Sequence, residues 1–408
     1  MKKLLCLLLC CSTLTHSHAQ ENRVKAQLYG FVRNYFCYDS RKSLESSGDM
    51  FYLVPLDKNE NSYGDDLNNT PSARLLAITT RLGLSLEGMR VAGASLQGRI
   101  EADFNGFSGS STLLRLRQAY IKGQWERCNL TVGQAWHPMS DCMMPEVPAL
   151  AQGAPFNPFS RTPQIRYNHS VGPLTLTAAL LYQFQYTSTG PAGSSDEYAK
   201  NDLVPELYAG ATLKSGGFTG GIGVDYLELK PRTTGKDAFD VTVKVSDRVR
   251  SLSPLIFASY ERGLFSARAK AVYAANCAHL SMMSGYAATS QASDGSYRYA
   301  PLRSMAAWGT LSYGKRFKAL LFAGCMKNQG IDGDLLSTDL IYVRGYKNID
   351  RMARIAPSLS YNISHFSLAA EYELTAVYYG NTIEQDATVS DTHCVTNSRV
   401  CVMAKYEF

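Results

Sequence analysis

The stretch Phe366-Ser-Leu-Ala-Ala-Glu-Tyr-Glu-Leu-Thr-Ala376 divides two chemistries residue by residue. Phe366, Leu368, Ala370, Tyr372, Leu374 and Ala376 fall on one side, and Ser367, Ala369, Glu371, Glu373 and Thr375 on the other. A period of two is the signature of a strand whose faces meet different solvents. The chain end repeats it, with Val400, Val402, Ala404, Tyr406 and Phe408 opposite Arg399, Cys401, Met403, Lys405 and Glu407. Such segments run well past the five or six residues usual in soluble sheets. They reach the roughly 9–11 that a tilted strand needs to cross hydrocarbon.

Working outward, the alternation predicts strands at 24–38, 73–87, 91–105, 112–123, 127–137, 162–168, 173–186 and 203–214. A second set follows at 217–229, 250–260, 264–276, 303–314, 317–327, 351–362, 366–379 and 396–408. The sixteen predicted strands make an antiparallel up-and-down transmembrane barrel. Its connections alternate in length, as barrels with short periplasmic turns and long outer loops require. Turns are predicted at 88–90, 124–126, 169–172, 215–216, 261–263, 315–316 and 364–365, and outer loops at 39–72, 138–161, 187–202, 230–249, 277–302, 328–350 and 380–395. Only the outer connection at 105–111 is short, and both chain ends fall on the periplasmic side.

Residues 1–19 read as an export signal. Lys2 and Lys3 precede an apolar run from Leu4 to Cys11 that is too short to span a bilayer, and Ser17-His18-Ala19 forms a small-residue cleavage site. The barrel then occupies 20–408, in the cell outer membrane. No later run of about 18 apolar residues exists, so a membrane helix is not expected, and the 25 tyrosines suit the two interfaces of a membrane barrel. The net charge of +6 comes without basic blocks, which argues against nucleic acid as a partner. The seven cysteines beyond the signal match no zinc or redox spacing. They read as apolar fillers, with a Cys394–Cys401 pair as the alternative.

Turning each polar face inward, because charge facing lipid is costly, sends Arg33, Arg81, Arg99, Arg115, Arg117, Arg166, Arg268, Lys270 and Arg354 to the lumen. Glu101, Asp103, Asp225, Glu371 and Glu373 join them. Low-dielectric walls focus fixed charge, so an excess of guanidinium concentrates anions. The alternative is mutual neutralisation of these bases and acids. Arg81, Arg99, Arg115 and Arg117 come from three consecutive strands and form one patch. Whether Glu101 and Asp103 lie among these bases or across from them is open at this level.

The segment 138–161 is too apolar for a solvated loop. It either folds into the barrel as a constriction, with Asp141, Glu146, Phe156 and Phe159 as its candidates, or packs at the rim. His137, Asp141 and Cys142 lie close in sequence, but no fixed ligand spacing supports a metal or a thiol nucleophile there. No cofactor or metal is expected, and an enzyme is not expected.

Four segments carry a resemblance: Tyr29-Gly-Phe-Val-Arg33, Gly98-Arg-Ile-Glu-Ala-Asp-Phe104, Arg115-Leu-Arg-Gln-Ala-Tyr120 and Gly153-Ala-Pro-Phe-Asn-Pro-Phe-Ser-Arg161. Together they resemble the DcaP-like outer-membrane porins. The resemblance implies a sixteen-stranded trimeric channel for small anionic nutrients such as dicarboxylates, with Arg33, Arg99, Glu101, Asp103, Arg115 and Arg117 guiding the solute. The few residues before the first strand leave no room for the helical N-terminal segment common in that family. The terminal Phe408 is similar to the sorting signal read by barrel-assembly machinery. The expected function is passive diffusion of small anionic or polar solutes through a homotrimeric porin in outer-membrane lipid. A structural or adhesive barrel is the alternative, and a barrel phospholipase or protease a more distant one.

Overall fold

A computed structural model describes residues 24–46, 51–108, 111–148 and 153–408. The expected export signal lies outside them. The first eight strands are β1 (Lys25–Asp39), β2 in two pieces (Ser72–Leu76 and Arg81–Val91), β3 (Ala94–Ser108), β4 (Ser111–Gln124), β5 (Cys128–Trp136), β6 (Arg161–Val171), β7 (Leu174–Leu181) and β8 (Glu206–Ser215). The others are β9 (Phe218–Leu229), β10 (Val249–Arg262), β11 (Phe265–Ala275), β12 (Tyr297–Gly314), β13 (Phe317–Gly330), β14 (Ile349–Ile363), β15 (Phe366–Ile383) and β16 (Val389–Glu407). Each pairs antiparallel with the next, and β16 returns to β1 from Phe31↔Glu407 to Asp39↔Arg399. The sheet is therefore a closed sixteen-stranded barrel without a free edge.

Side chains alternate as the opening stretch requires. On β15, Leu368, Tyr372 and Leu374 stand on the exposed exterior while Glu371, Glu373 and Thr375 are buried inside. The exterior is apolar at mid-height, as at Ile100, Val132, Ile256 and Ile355. Exposed rings ring both ends: Tyr260, Tyr313, Phe317 and Tyr406 near the periplasmic-type short turns, Tyr38, Phe107, Tyr182 and Phe184 near the opposite, outer connections. Two aromatic girdles around an apolar band are what a membrane barrel presents to lipid.

Element edges differ from expectation where local chemistry overrides composition. The β2–β3 turn falls at Ala92 and Gly93, both at positive φ, while Gly88 serves as a bulge in β2. β6 continues to Val171 and β7 stops at Leu181 instead of 186. β12 begins at Tyr297 and β16 at Val389, ahead of the expected edges, and β15 runs past its expected end to Ile383. These polar outer ends read as loop by composition, yet partner strands satisfy their backbone, as in Gly380↔Thr392 and Ile383↔Val389.

Candidate functional site

Interior charge is organised first by register. Arg81 stands opposite Asp103, and Asp103 opposite Arg115 on the next strand. Arg115 grips Asp103 through Nε and Nη2 at 3.0 and 2.9 Å, and Arg117 spans Glu101 at 2.8 Å and Asp103 at 2.7 Å. Arg81 stands 3.6 Å from Glu101. The acids thus lie among the bases, and guanidinium forks hold them in fixed geometry. Two carboxylates face three guanidiniums, which leaves one positive charge in this cluster. Arg99 covers the Tyr29 ring at 4.8 Å, and Arg33 covers Tyr35 at 4.7 Å while donating to the Pro148 carbonyl. Tyr29 itself lies over Gly83, where an added Cβ would meet its ring at 2.1 Å.

A second ladder lies across β14, β15, β16 and the outer end of β1. Arg354 pairs with Glu373 at 3.2 Å, Arg399 with Asp39 at 3.7 Å, and Arg74 with Asp39 at 2.8 Å and with Glu45. Glu371 is buried beside it. Asp39 and Arg74 escaped the sequence reading because they fall at strand edges, where alternation fades. Arg161, fully buried, also escaped it. It covers the rings of Trp136, Phe159 and Tyr186 at 4.7, 5.2 and 5.3 Å.

The segment after β5 crosses the lumen. His137 caps a single helical turn, Pro138–Asp141. Lys270 of β11 donates to the Met139 carbonyl at 2.7 Å, Ser312 of β12 to Glu146 at 3.3 Å, and Lys318 of β13 also pairs with Glu146. Trp308 donates to Asn157 at 3.0 Å, and Arg354 donates to the Ala154 carbonyl at 2.6 Å. A segment bonded to β1, β11, β12, β13 and β14 cannot lie at the rim. Its four candidates divide. Asp141 pairs with Arg166 at 3.0 Å and faces open space, and Glu146 lines a cavity. Phe156 and Phe159 are buried, Phe156 against Phe322 and Phe159 edge-on to Trp136, so they anchor the segment.

Part of the first long connection, expected as an outer loop, also turns inward. Its hairpin of Ser43–Ser46 and Phe51–Pro55 buries Tyr52, Leu53 and Val54. Arg354 donates to the Leu53 carbonyl at 3.0 Å, and Tyr379 to that of Pro55 at 2.6 Å. The run Phe-Tyr-Leu-Val-Pro within a polar stretch was the available signal, because such a run needs cover from water. Leu53 also packs with Ala154 and Phe159, which joins the two infolded segments.

His137, Asp141 and Cys142 diverge, the latter two toward Arg166 and the Met139 carbonyl. His137 instead meets Glu206 of β8 at 2.9 Å. Glu206 also takes His279 at 2.8 Å, with Asp225 of β9 standing 3.8 Å from His137. All four are sealed from solvent. The Met139 amide donates to His137 Nδ1 at 3.1 Å, which places the imidazole proton on Nε2, aimed at Glu206. A metal on Nε2 would displace that proton and leave the imidazole's own proton on Nδ1, against the donating Met139 amide. The cluster is a hydrogen-bonded clamp at the root of the infolded segment, built from residues that sequence spacing does not connect.

Two cavities of about 440 and 400 Å³ remain on the turn side of the infolded segment. Lys122, Arg166, Lys214 and Arg268 line the first, against Asp141 and Glu261. Arg33, Lys315, Lys318 and Lys405 line the second, against Glu146. Arg268 also pairs with Glu261 at 3.0 Å.

No protein-family model matches the sequence, and no curated protein matches it. Among solved structures, the outer-membrane channel DcaP of Acinetobacter baumannii is similar at TM-score 0.68 and 20% identity, over 95% of this chain and 98% of that one. OmpT of Vibrio cholerae is similar at TM-score 0.56 and 10% identity, over 96% and 99%. OmpF of Salmonella typhi, in complex with daunomycin, is similar at 0.51 and 13%, over 94% and 97%. The chain therefore has the porin fold, in the DcaP-like form that its four sequence segments resemble.

Proposed function

We propose that this chain is an outer-membrane porin that passes small hydrophilic solutes, prefers anions, and takes dicarboxylates among them. The carrying observation is the basic excess in both turn-side cavities, four cations against two carboxylates in one and against one in the other. Such an excess between low-dielectric walls raises the local concentration of anions. The arginines of β2 and β4 contribute less, because Glu101 and Asp103 neutralise most of their charge. Arg33 and Arg99, held over the rings of Tyr35 and Tyr29, are the lumenal guanidiniums placed to guide a carboxylate. The cluster around Glu206 lends no support to an enzymatic role, because it is closed to solvent.

Export to the outer membrane, insertion through recognition of Phe408, and a homotrimer belong to this reading. One solved form of Vibrio cholerae OmpT is described as a trimer. Phe408 exchanges both backbone hydrogen bonds with Gly30, at 3.1 Å each, so the terminal residue belongs to the closing strand pair. Liposome swelling tests the reading: a dicarboxylate should enter faster than a diamine of equal size, and equal or reversed rates refute the preference. A second reading, an adhesive or structural barrel with a plugged bore, draws on the two infolded segments. It requires that neither solute enters.

A further inference from the structure

We propose that Cys37 and Cys401 form a disulfide across the seam where the barrel closes. The two residues are direct partners on β1 and β16, with their sulfurs 3.4 Å apart and both side chains buried. Pairing alternates along an antiparallel ladder, and the page fixes its phase. Gly30 and Phe408 exchange both backbone bonds, and the Ser40 amide donates to the Ser398 carbonyl at 3.0 Å. Every second step from those pairs is hydrogen-bonded, so Cys37–Cys401, an odd number of steps away, is a non-hydrogen-bonded pair. There the Cα atoms stand about 4.5 Å apart with side chains closer, a separation that a disulfide spans. The sulfurs need approach by only about 1.4 Å, within reach of side-chain rotation.

The surroundings favour a neutral bond. Tyr35, Ala369 and Met403 pack against the pair, with Leu76 and Ile78 beside them, and Arg399 and Glu371 stand at its edge. The other five described cysteines lie elsewhere, and Cys394, on the same strand as Cys401, is exposed. The bond forms by thiol–disulfide exchange. One thiol loses its proton, and its thiolate attacks the disulfide of an oxidant, either a small-molecule or a protein disulfide, expelling one oxidant thiolate. The second cysteine's thiolate then displaces the other. The two cysteines lose two protons and two electrons, and the oxidant gains them as two thiols. Oxidation in the cell rests on the export reading, because a disulfide persists only in an oxidising compartment. The bond would join sites 364 residues apart and tie the first strand to the last.

Two measurements test this separately. Barrels refolded in detergent from reduced chain 20–408, which carries seven of the ten cysteines, are incubated with oxidised glutathione, alkylated under denaturing conditions and digested. A Cys37–Cys401 cross-linked peptide, five alkylated cysteines of seven, and a melting temperature that falls on reduction in the wild type but not in Cys37→Ser are expected. Seven alkylated cysteines in a folded barrel overturn the proposal whatever the compartment. The same mapping on cells alkylated before lysis should show the cross-link. A bond that forms in detergent but is missing in the cell overturns export to an oxidising compartment and leaves the seam geometry standing.

Discussion

Removing Arg354 should loosen both infolded segments together. Its guanidinium donates to the Ala154 carbonyl at 2.6 Å, the Leu53 carbonyl at 3.0 Å and the Thr375 hydroxyl at 2.9 Å. It also pairs with Glu373 and lies against the rings of Tyr52 and Phe156. A hydrogen bond to a charged group contributes about 1.5–3 kcal/mol, so the two loop carbonyls together account for about 3–6 kcal/mol of loop attachment. That energy shifts the docked-to-detached balance by roughly 10²–10⁴-fold, and breaking one partner of a buried ion pair destabilises by about 3–5 kcal/mol. Single-channel recording of Arg354→Ala should show larger and noisier conductance. Chymotrypsin should cleave after Phe156 or Phe159, at a rate the wild type, with both rings buried, resists. Arg354→Lys keeps the charge but loses the fork, and should fall between the two. Wild-type conductance and protease resistance in Arg354→Ala would refute the tether, even if the variant melts earlier.

Other expectations follow from the same geometry. Neutralising Lys214 and Lys315, one in each turn-side cavity, should move the reversal potential toward zero. Arg115→Gln should move it less, because the charge it removes is paired with Asp103, while costing stability in a denaturation series. Gly83→Ala should destabilise the barrel by about 1–3 kcal/mol in urea, since its Cβ meets Tyr29. Glu206→Leu should free the root of the infolded segment, seen as faster amide exchange at 137–142, because both imidazoles lose their acceptor. At the outer mouth, burial opposes ionisation of Asp66, but Arg41 at 2.7 Å and the Asn59 and Asn68 amides outweigh it and lower its pKa to about 2. A lowered carboxylate pKa contributes stability above its ordinary value that is lost as pH falls through the lowered one. Protection of residues 57–68 should therefore decline between about pH 4 and 2, and Asp66→Asn should show a weaker dependence there.

The barrel was legible because period-two alternation is local, and lipid on one side with water on the other imposes it on every strand. Glu371, Glu373 and Leu374 declare their faces without reference to any neighbour. Placing Glu101 and Asp103 between Arg81, Arg115 and Arg117 needed the registers of β2, β3 and β4, which alternation leaves open by any even step. The infolding of 138–161 had a compositional signal in its apolar residues. The smaller signal at Phe51–Pro55 was diluted by the polar loop around it. Glu206, His137 and His279 meet only through closure of the barrel and two inward turns. Cys37 likewise meets Cys401 only once the first strand finds the last.

The central claim, a lipid-embedded cylinder whose basic interior sorts solutes by charge, is tested most directly by the reversal potential of the purified chain in a planar bilayer under a potassium chloride gradient. The account predicts discrete conductance steps and a potential displaced toward the chloride equilibrium value. A potential on the potassium side, or a silent bilayer, would contradict it.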